Sequence, residues 1–185
     1  MAVINIGSAA IDRASAASAN TTYVDETAGT AADGTGTIDT VTVFMETAHT
    51  NGLAEVGIFY RTTGTSLTTR SNASLGSLAA GLNTITGLSL AVQAGDWIGI
   101  YFPTSGSIRR ATAGGTTQLK AGDNIPCTNV DFGATQGRIY SVHGTGTTTV
   151  TTSIKSVNTV LQASIKSING VAIASVKSVN GVSNV

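Results

Sequence analysis

The chain has 185 residues and no formal net charge, and only 11% of its residues are charged, against about 25% in ordinary soluble domains. It holds 30 Thr and 22 Gly, whereas Glu and Lys, which usually cover exposed helices, are scarce. This composition disfavours an all-helical protein or an α/β enzyme and indicates an all-β fold. The length suits one β-sandwich of about 150 residues with an appendage.

Charge is unevenly distributed along the chain. Residues 1–152 hold all 10 acids and 7 bases, a net charge of −3, and residues 153–185 hold three lysines and no acid, a net charge of +3. This basic end is far weaker than a nucleic-acid-binding patch, so we expect no nucleic-acid partner. Because the N-terminus lacks signal-peptide features and no run of about 18 apolar residues occurs, we expect synthesis in a cytoplasm and no membrane association.

Alternation of apolar and polar residues predicts the first strands. In GTIDTVTVFMET (36–47), Val41, Val43 and Met45 fall on one face, the two-residue period of a half-buried strand. The run AEVGIFYRTTGTSLTTR predicts a hairpin whose turn lies at residues 62–65. The only plausible helix is SNASLGSLAAGLN (71–83), and its two glycines weaken it.

The strongest local pattern is GLNTITGLSLAVQAGDWIGIYFPTSG, which predicts two strands joined by a turn at residues 94–96, where Asp96 caps its own turn. Further strands are predicted in TTQLKAG, NVDFG and GRIYSVHG. Short strands with frequent turns and no helix-length periodicity predict a sandwich or barrel of antiparallel sheets, of which we favour the antiparallel β-sandwich. The stretch HGTGTTTVTT (143–152) is typical of a linker, so we place the sandwich body at 1–150 and a tail at 151–185.

The chain ends in three copies of an 11-residue repeat, SIKSVNTVLQA, SIKSINGVAIA and SVKSVNGVSNV. An 11-residue period also suits a right-handed coiled coil, but Asn-Gly pairs and β-branched residues are poor helix formers. We expect short strands bent at each Asn-Gly, either as small hairpins or as arcs of a solenoid or multi-chain fibre. The apolar positions are Ile154, Val157, Ile165, Ile168, Val171, Ile173, Val176, Val179 and Val182.

These apolar positions are too few to hold the tail in one conformation alone. Burial contributes about 25 cal/mol for each Å², whereas ordering the backbone costs about 1–2 kcal/mol for each residue. We therefore expect the repeats to need copies of themselves or a partner surface, which makes them an assembly or docking tail. The alternative is a disordered tail, against which the regular apolar spacing argues.

Residues that could carry out catalysis are scarce. The two histidines, His49 and His143, stand in no recognisable catalytic or metal-binding motif, and Cys127 is the single cysteine, so no intrachain disulfide is possible. We predict a non-enzymatic protein without a cofactor or a metal. The acids of residues 25–39 are interpreted as solvated loop residues, with a Ca²⁺ site as an alternative. The six acids of residues 25–55 could alternatively supply the carboxylate pair of a glycosidase.

Two aromatic residues are candidate ligand-binding residues. Trp97, Gly99 and Tyr101 share one face of a predicted strand, opposite Ile98 and Ile100. If the isoleucines face the core, the indole and phenol point outward or into a second layer, and an exposed pair could stack on a sugar ring. The alternative is that Trp97 covers an edge of the sandwich or lies in a subunit interface.

Two segments resemble known families. LSLAVQAGDWIGIYF (88–102) resembles a strand pair of lectin-like and carbohydrate-binding jelly-roll domains. IKSINGVAIASVKSVNGV (165–182) resembles the Lys-x-Ile/Val-Asn-Gly-Val repeats at the ends of virion structural proteins of tailed bacteriophages and related viruses, although the first copy has Thr159 where the others have Gly.

The second resemblance implies a phage particle protein: a capsid decoration protein, a head fibre or a tail-associated adhesin. We therefore expect a structural protein located in the virion, a homo-oligomer with a trimer favoured, whose partners are other virion proteins. The second hypothesis is a carbohydrate-binding or host-receptor-binding module whose partner is a glycan.

Overall fold

A computed structural model describes residues 1–149 and, in the repeats, six strands of two residues each. In this part of the chain every regular element is a β-strand. No helix among these residues has the length and hydropathy needed to span a membrane. The strands before the repeats are β1 (Val3–Gly7), β2 (Ser15–Ser18), β3 (Thr21–Asp25), β4 (Gly36–Thr47), β5 (His49–Thr63), β6 (Ser66–Leu78), β7 (Gly81–Val92), β8 (Trp97–Tyr101), β9 (Ser107–Ala111), β10 (Thr117–Ala121), β11 (Val130–Asp131), β12 (Ala134–Gln136), β13 (Ile139–Tyr140) and β14 (Val142–Thr148).

These strands form two antiparallel sheets, which confirms the predicted all-β sandwich. In the first sheet, β4 pairs with β14 and with β7, β1 pairs with the far side of β14, and β9 joins the end of β4 to β2 and β13. The second sheet has the order β11-β6-β5-β8-β3-β10-β12. The turn at residues 94–96 therefore carries the chain from β7 in one sheet to β8 in the other.

The main hydrophobic core lies between the two sheets. Val41, Val43 and Met45 of β4 are fully buried there, as their alternation predicts. Ile98 and Ile100 of β8 enter the same core from the second sheet. At one end of the sandwich the rings of Tyr23 on β3 and Tyr140 on β13 stack at 4.5 Å and join the sheets.

The structure corrects two predictions. The stretch 71–83 is not a helix: β6 continues to Leu78 and β7 begins at Gly81, and Gly76 (φ 71°) and Gly81 (φ 91°) adopt left-handed conformations that end a helix. The predicted linker is β-strand as far as Thr148, since β14 runs between β1 and β4. Its Gly146 allows close approach: a Cβ there would lie 1.9 Å from the carbonyl oxygen of Thr37. Glycine marks tight packing here and not flexibility.

The chain divides into two units. One unit comprises Ala2–Thr148 and contains both sheets of the sandwich, and we call it the body. The other comprises Met1 and Thr149–Val185.

Candidate functional site

Strand β8 presents the two candidate ligand-binding residues on the face that points away from the main core. Ile98, Ile100 and Phe102 belong to the cluster between the sheets, whereas Trp97 and Tyr101 belong to a second cluster on the outer face of the second sheet. The predicted segregation of the two faces is thus confirmed. The buried members of the outer cluster are Val24, Phe59, Leu67, Tyr101, Ile125 and Phe132.

Phe59 fills the space between the two candidate residues. A Cβ on Gly99 would lie 2.7 Å from Cε2 of Phe59, and one on Gly57, directly across on β5, would lie 2.8 Å from the same atom. The phenyl ring therefore lies over both glycines. The glycine between Trp97 and Tyr101 makes room for this ring, a role that β8 alone does not reveal.

The segment 123–133, which we call the covering loop, closes the outer face. Cys127 donates its N–H to Oγ1 of Thr69 at 2.9 Å, and Thr69 donates its own N–H to the carbonyl oxygen of Cys127 at 2.9 Å. Phe132 from this loop contacts Phe59 edge-on, with ring centroids 6.0 Å apart. Ile125 of the loop is 3% exposed, so the loop supplies a true second layer.

Trp97 lies at one border of this layer and is half-buried. The guanidinium of Arg61 lies 5.5 Å from the centre of the indole ring, within the range of a cation–π contact. Arg61 also donates to Oε1 of Glu26 at 2.6 Å, and Gln118 donates to Oε2 of Glu26 at 3.1 Å. The indole, a guanidinium and a carboxylate therefore meet at this border, with Arg61 covering the ring.

Tyr101 lies at the opposite border of the outer face and is 7% exposed. Four residues at about 3.3 Å each place it about 13 Å along the strand from Trp97, with Phe59 between the two rings. Burial, followed by the charges of Asp123 and Glu55, raises the pKa of the Tyr101 hydroxyl. The two candidate rings thus share a face without touching, and the ligand-binding role assigned to them stays a prediction.

The interpretation of the acids of residues 25–39 as solvated loop residues is wrong for Asp25, which is the buried last residue of β3, and Asp39 lies within β4. Asp25 is 1% exposed and accepts the N–H of Thr27 at 3.1 Å. Asp33 accepts the N–H of Asn5 at 2.8 Å, and this bond, followed by a second one from the Asn5 side chain, lowers the Asp33 pKa. Across the part of the chain that the structure describes, no group of three or more His, Cys, Asp or Glu residues could hold a metal ion.

The two histidines lie on different strands and in different surroundings. His49 is fully buried, and its Nδ1 lies 2.9 Å from the carbonyl oxygen of Ser105. Burial lowers the pKa of His143 on β14, while the charge of Asp33 opposes this shift. His49 therefore lies on β5 of one sheet and His143 on β14 of the other.

No protein-family model matches this chain. A search of curated proteins likewise gives no match.

The repeats form the second candidate functional region. Within each repeat, two strands of two residues pair antiparallel, which is the hairpin alternative of the sequence interpretation. The strands are β15 (Ser156–Val157), β16 (Val160–Leu161), β17 (Ser167–Ile168), β18 (Val171–Ala172), β19 (Ser178–Val179) and β20 (Val182–Ser183).

Backbone pairing relates the predicted assembly residues to these hairpins. Val157 lies opposite Val160 in the first hairpin, and the second and third hairpins pair in the same way. Ile168, Val171, Val179 and Val182 occupy those matching positions. The remaining predicted assembly residues lie outside the described residues, and these are Ile154, Ile165, Ile173 and Val176.

Proposed function

We propose that this protein is a non-enzymatic structural protein of a virus particle, of the capsid decoration or fibre kind, which oligomerises and attaches through its C-terminal repeats. The observation that carries the proposal is the size of the hairpins in the repeats. Each has two residues in each strand, and an isolated two-stranded hairpin is at best marginally stable in water. A regular series of such hairpins is stabilised by copies of itself or by a partner surface.

The body supports the proposal because it contains apolar cores of its own. It has its own core between two sheets and a second apolar layer beneath the covering loop. It therefore has the means to fold without help from the repeats. The three lysines of the repeats also oppose the net negative charge of residues 1–152, which favours contact between copies or with an acidic particle surface.

The test is deletion of residues 153–185. We expect the shortened chain to keep the circular dichroism spectrum and unfolding midpoint of the full chain, because the core lies within the body. We expect a three-copy assembly of the full chain to be lost, as measured by light scattering on a sizing column. The matched control carries the same 33 residues in scrambled order, which preserves length and charge. A shortened chain that still forms the three-copy assembly would overturn the proposal.

A second candidate function is glycan or receptor binding at the Trp97 border. It is favoured by the half-buried indole next to Arg61, because an indole and a guanidinium are both common contacts for sugars and acidic groups. A glycan array with the native chain and with Trp97→Ala tests it. Binding that depends on Trp97 supports the site, whereas an absence of binding, or binding that ignores the substitution, removes it.

A further inference from the structure

The edge strands of the two sheets differ in length and in how far other parts of the chain cover them, and this difference indicates an interaction surface. An edge strand has a row of unpaired backbone groups that can pair with another chain, and proteins usually shorten, charge or cover such edges. Several edges of this sandwich follow that rule. Strands β2 and β12 are four and three residues long, and the start of β6 is covered by the covering loop, which pairs with Ser66 and Leu67 and bonds to Thr69.

Strand β1 is a short edge that a loop covers. Asn5 donates its N–H to Oδ1 of Asp33 at 2.8 Å, and Asp33 donates its N–H to the carbonyl oxygen of Asn5 at 3.2 Å. Gly7 donates its N–H to the carbonyl oxygen of Thr30 at 2.7 Å. The backbone groups of Asn5 and the N–H of Gly7 on the outer edge of β1 are therefore occupied within the chain.

Strand β7 is a long edge of the first sheet. It is 12 residues long, and in the described part of the chain its only strand partner is β4. Its straight portion, 81–86, pairs residue for residue with 40–45. Beyond it, Gly87 adopts a left-handed conformation (φ 76°) and Ser71 donates to the carbonyl oxygen of Ala91 at 2.7 Å. The unprotected edge is thus residues 81–86, which we call the open edge.

The open edge is also free of charge. No charged residue and no proline occurs in residues 71–95. The two charged residues that bound this segment neutralise each other, because Arg70 donates to Oδ1 of Asp96 at 3.0 Å. Leu82 on the open edge is 58% exposed, and its exposed neighbours on that face are Thr84 and Thr86. Nothing here repels an identical strand.

We propose that the open edge is an interface in which β7 pairs antiparallel with β7 of a second copy, about a two-fold axis near Thr84. In that register Leu82 lies opposite Thr86 of the second copy, so exposed side chains meet on one face. Unpaired backbone groups of one copy meet those of the other. An identical strand is the fitting occupant because it matches the open edge in length, neutrality and hydroxyl content.

This interface belongs to the body, so it does not depend on the repeats. If the repeats bring three copies together, the two-fold edge contact links such assemblies or closes two of them into one. A chain that lacks residues 153–185 keeps the edge contact and forms at most a two-copy species. Loss of the three-copy assembly and loss of the edge contact are therefore separate outcomes.

Charge substitutions at Thr84 test the two-fold axis. Lysines placed opposite each other repel, so we expect Thr84→Lys, and likewise Thr84→Glu, to weaken the two-copy contact by about fivefold or more in sedimentation velocity. Mixing the two variants brings Lys opposite Glu and restores the contact. Val3→Lys and Val3→Glu are the matched controls, because Val3 is 64% exposed on the covered strand β1. A two-copy contact that neither Thr84 variant weakens, or a mixture of the two variants that associates no better than either variant alone, overturns the proposal.

Cross-linking identifies the strand directly. In a Cys127→Ser background, Thr84→Cys is treated with a short bismaleimide and compared with Val3→Cys and with the background alone. We expect a covalent two-copy band for Thr84→Cys and none for the other two proteins. Equal bands for both cysteine variants, or no band for Thr84→Cys, contradict pairing at the open edge. The charge-swap experiment uses the native Cys127 and so decides the question if the background variant fails to fold.

Discussion

The body and the repeats are both built from antiparallel strands, but they differ in what holds those strands. In the body, strands of up to 15 residues form two sheets of seven strands each and bury a core between them. In the repeats, each described strand has two residues and pairs with its neighbour in the same repeat. We propose that the same strand geometry serves as an independent fold in the body and as an assembly element in the repeats. We therefore expect the two regions to respond to different substitutions.

The largest expected effect on the body is Ile98→Ala. This side chain is fully buried between the sheets, and truncating such a residue costs about 2–5 kcal/mol of unfolding free energy. Denaturant unfolding measures it, with Leu53→Ala, at a position 60% exposed, as the control. We expect the folded variant to assemble as the native chain does. If the folded variant failed to assemble at denaturant concentrations below its unfolding transition, the body and the repeats would not be independent.

Gly99→Ala is expected to destabilise the body by about 1–3 kcal/mol through overpacking. The new Cβ would lie 2.7 Å from the Phe59 ring and 2.8 Å from the carbonyl oxygen of Tyr23. Gly137→Ala is the control, since its Cβ would meet only the carbonyl oxygen of Gly115 at 3.8 Å. Equal unfolding midpoints for the two variants would show that Phe59 does not depend on the glycine.

Thr69→Val tests the attachment of the covering loop. It leaves the N–H of Cys127 without its 2.9 Å partner, which costs about 1 kcal/mol because that donor is only partly buried. Hydrogen exchange should rise in residues 123–133 and stay unchanged in β4. Thr63→Val, at an exposed position of the same β5–β6 hairpin, should change neither.

Glu55→Gln is a pH-dependent test of the outer face. Burial, followed by the charge of Asp123, raises the pKa of Glu55 above its usual 4.5. The folded body therefore binds this proton more tightly than the unfolded chain, so the native protein gains stability as pH falls through the raised pKa. Glu55→Gln should be more stable than the native chain at pH 7, and the difference should vanish below pH 4.5. A difference that persists at low pH would exclude this cause.

The smallest effect on the body is expected from the repeats. Asn169 and Gly170 form the turn signal of the second repeat and lie outside the described residues. Replacing both with alanine should change the unfolding free energy of the body by less than about 0.5 kcal/mol and weaken assembly on a sizing column. The reverse change, Thr159→Gly, gives the first repeat the turn of the others and should strengthen assembly. A change in the unfolding free energy of the body with either variant would contradict the claim that the body is stable independently of the repeats.

The sequence predicted the parts of the fold whose signal is local. Strand β4 was found because one of its faces is buried and its apolar residues alternate. Strands β2 and β3 were not predicted. Strand β2 is made of small residues, and the two strands are held by pairing with distant strands, β2 with β9 and β3 with β10. In the candidate site, alternation placed Trp97 and Tyr101 on the correct face. The layer over them depends on contacts such as Thr69 with Cys127, 58 residues apart, which no local pattern encodes.

Transfer of the repeats tests the central claim most directly. Residues 151–185 are fused to the C-terminus of an unrelated monomeric carrier protein, and the mass of the fusion is measured by sedimentation equilibrium. The account predicts that the carrier becomes an oligomer, with three copies favoured, and that the scrambled version of the same residues leaves it a monomer. A carrier that stays monomeric with the native repeats, at concentrations where the full chain assembles, would contradict the claim that the repeats are an assembly element.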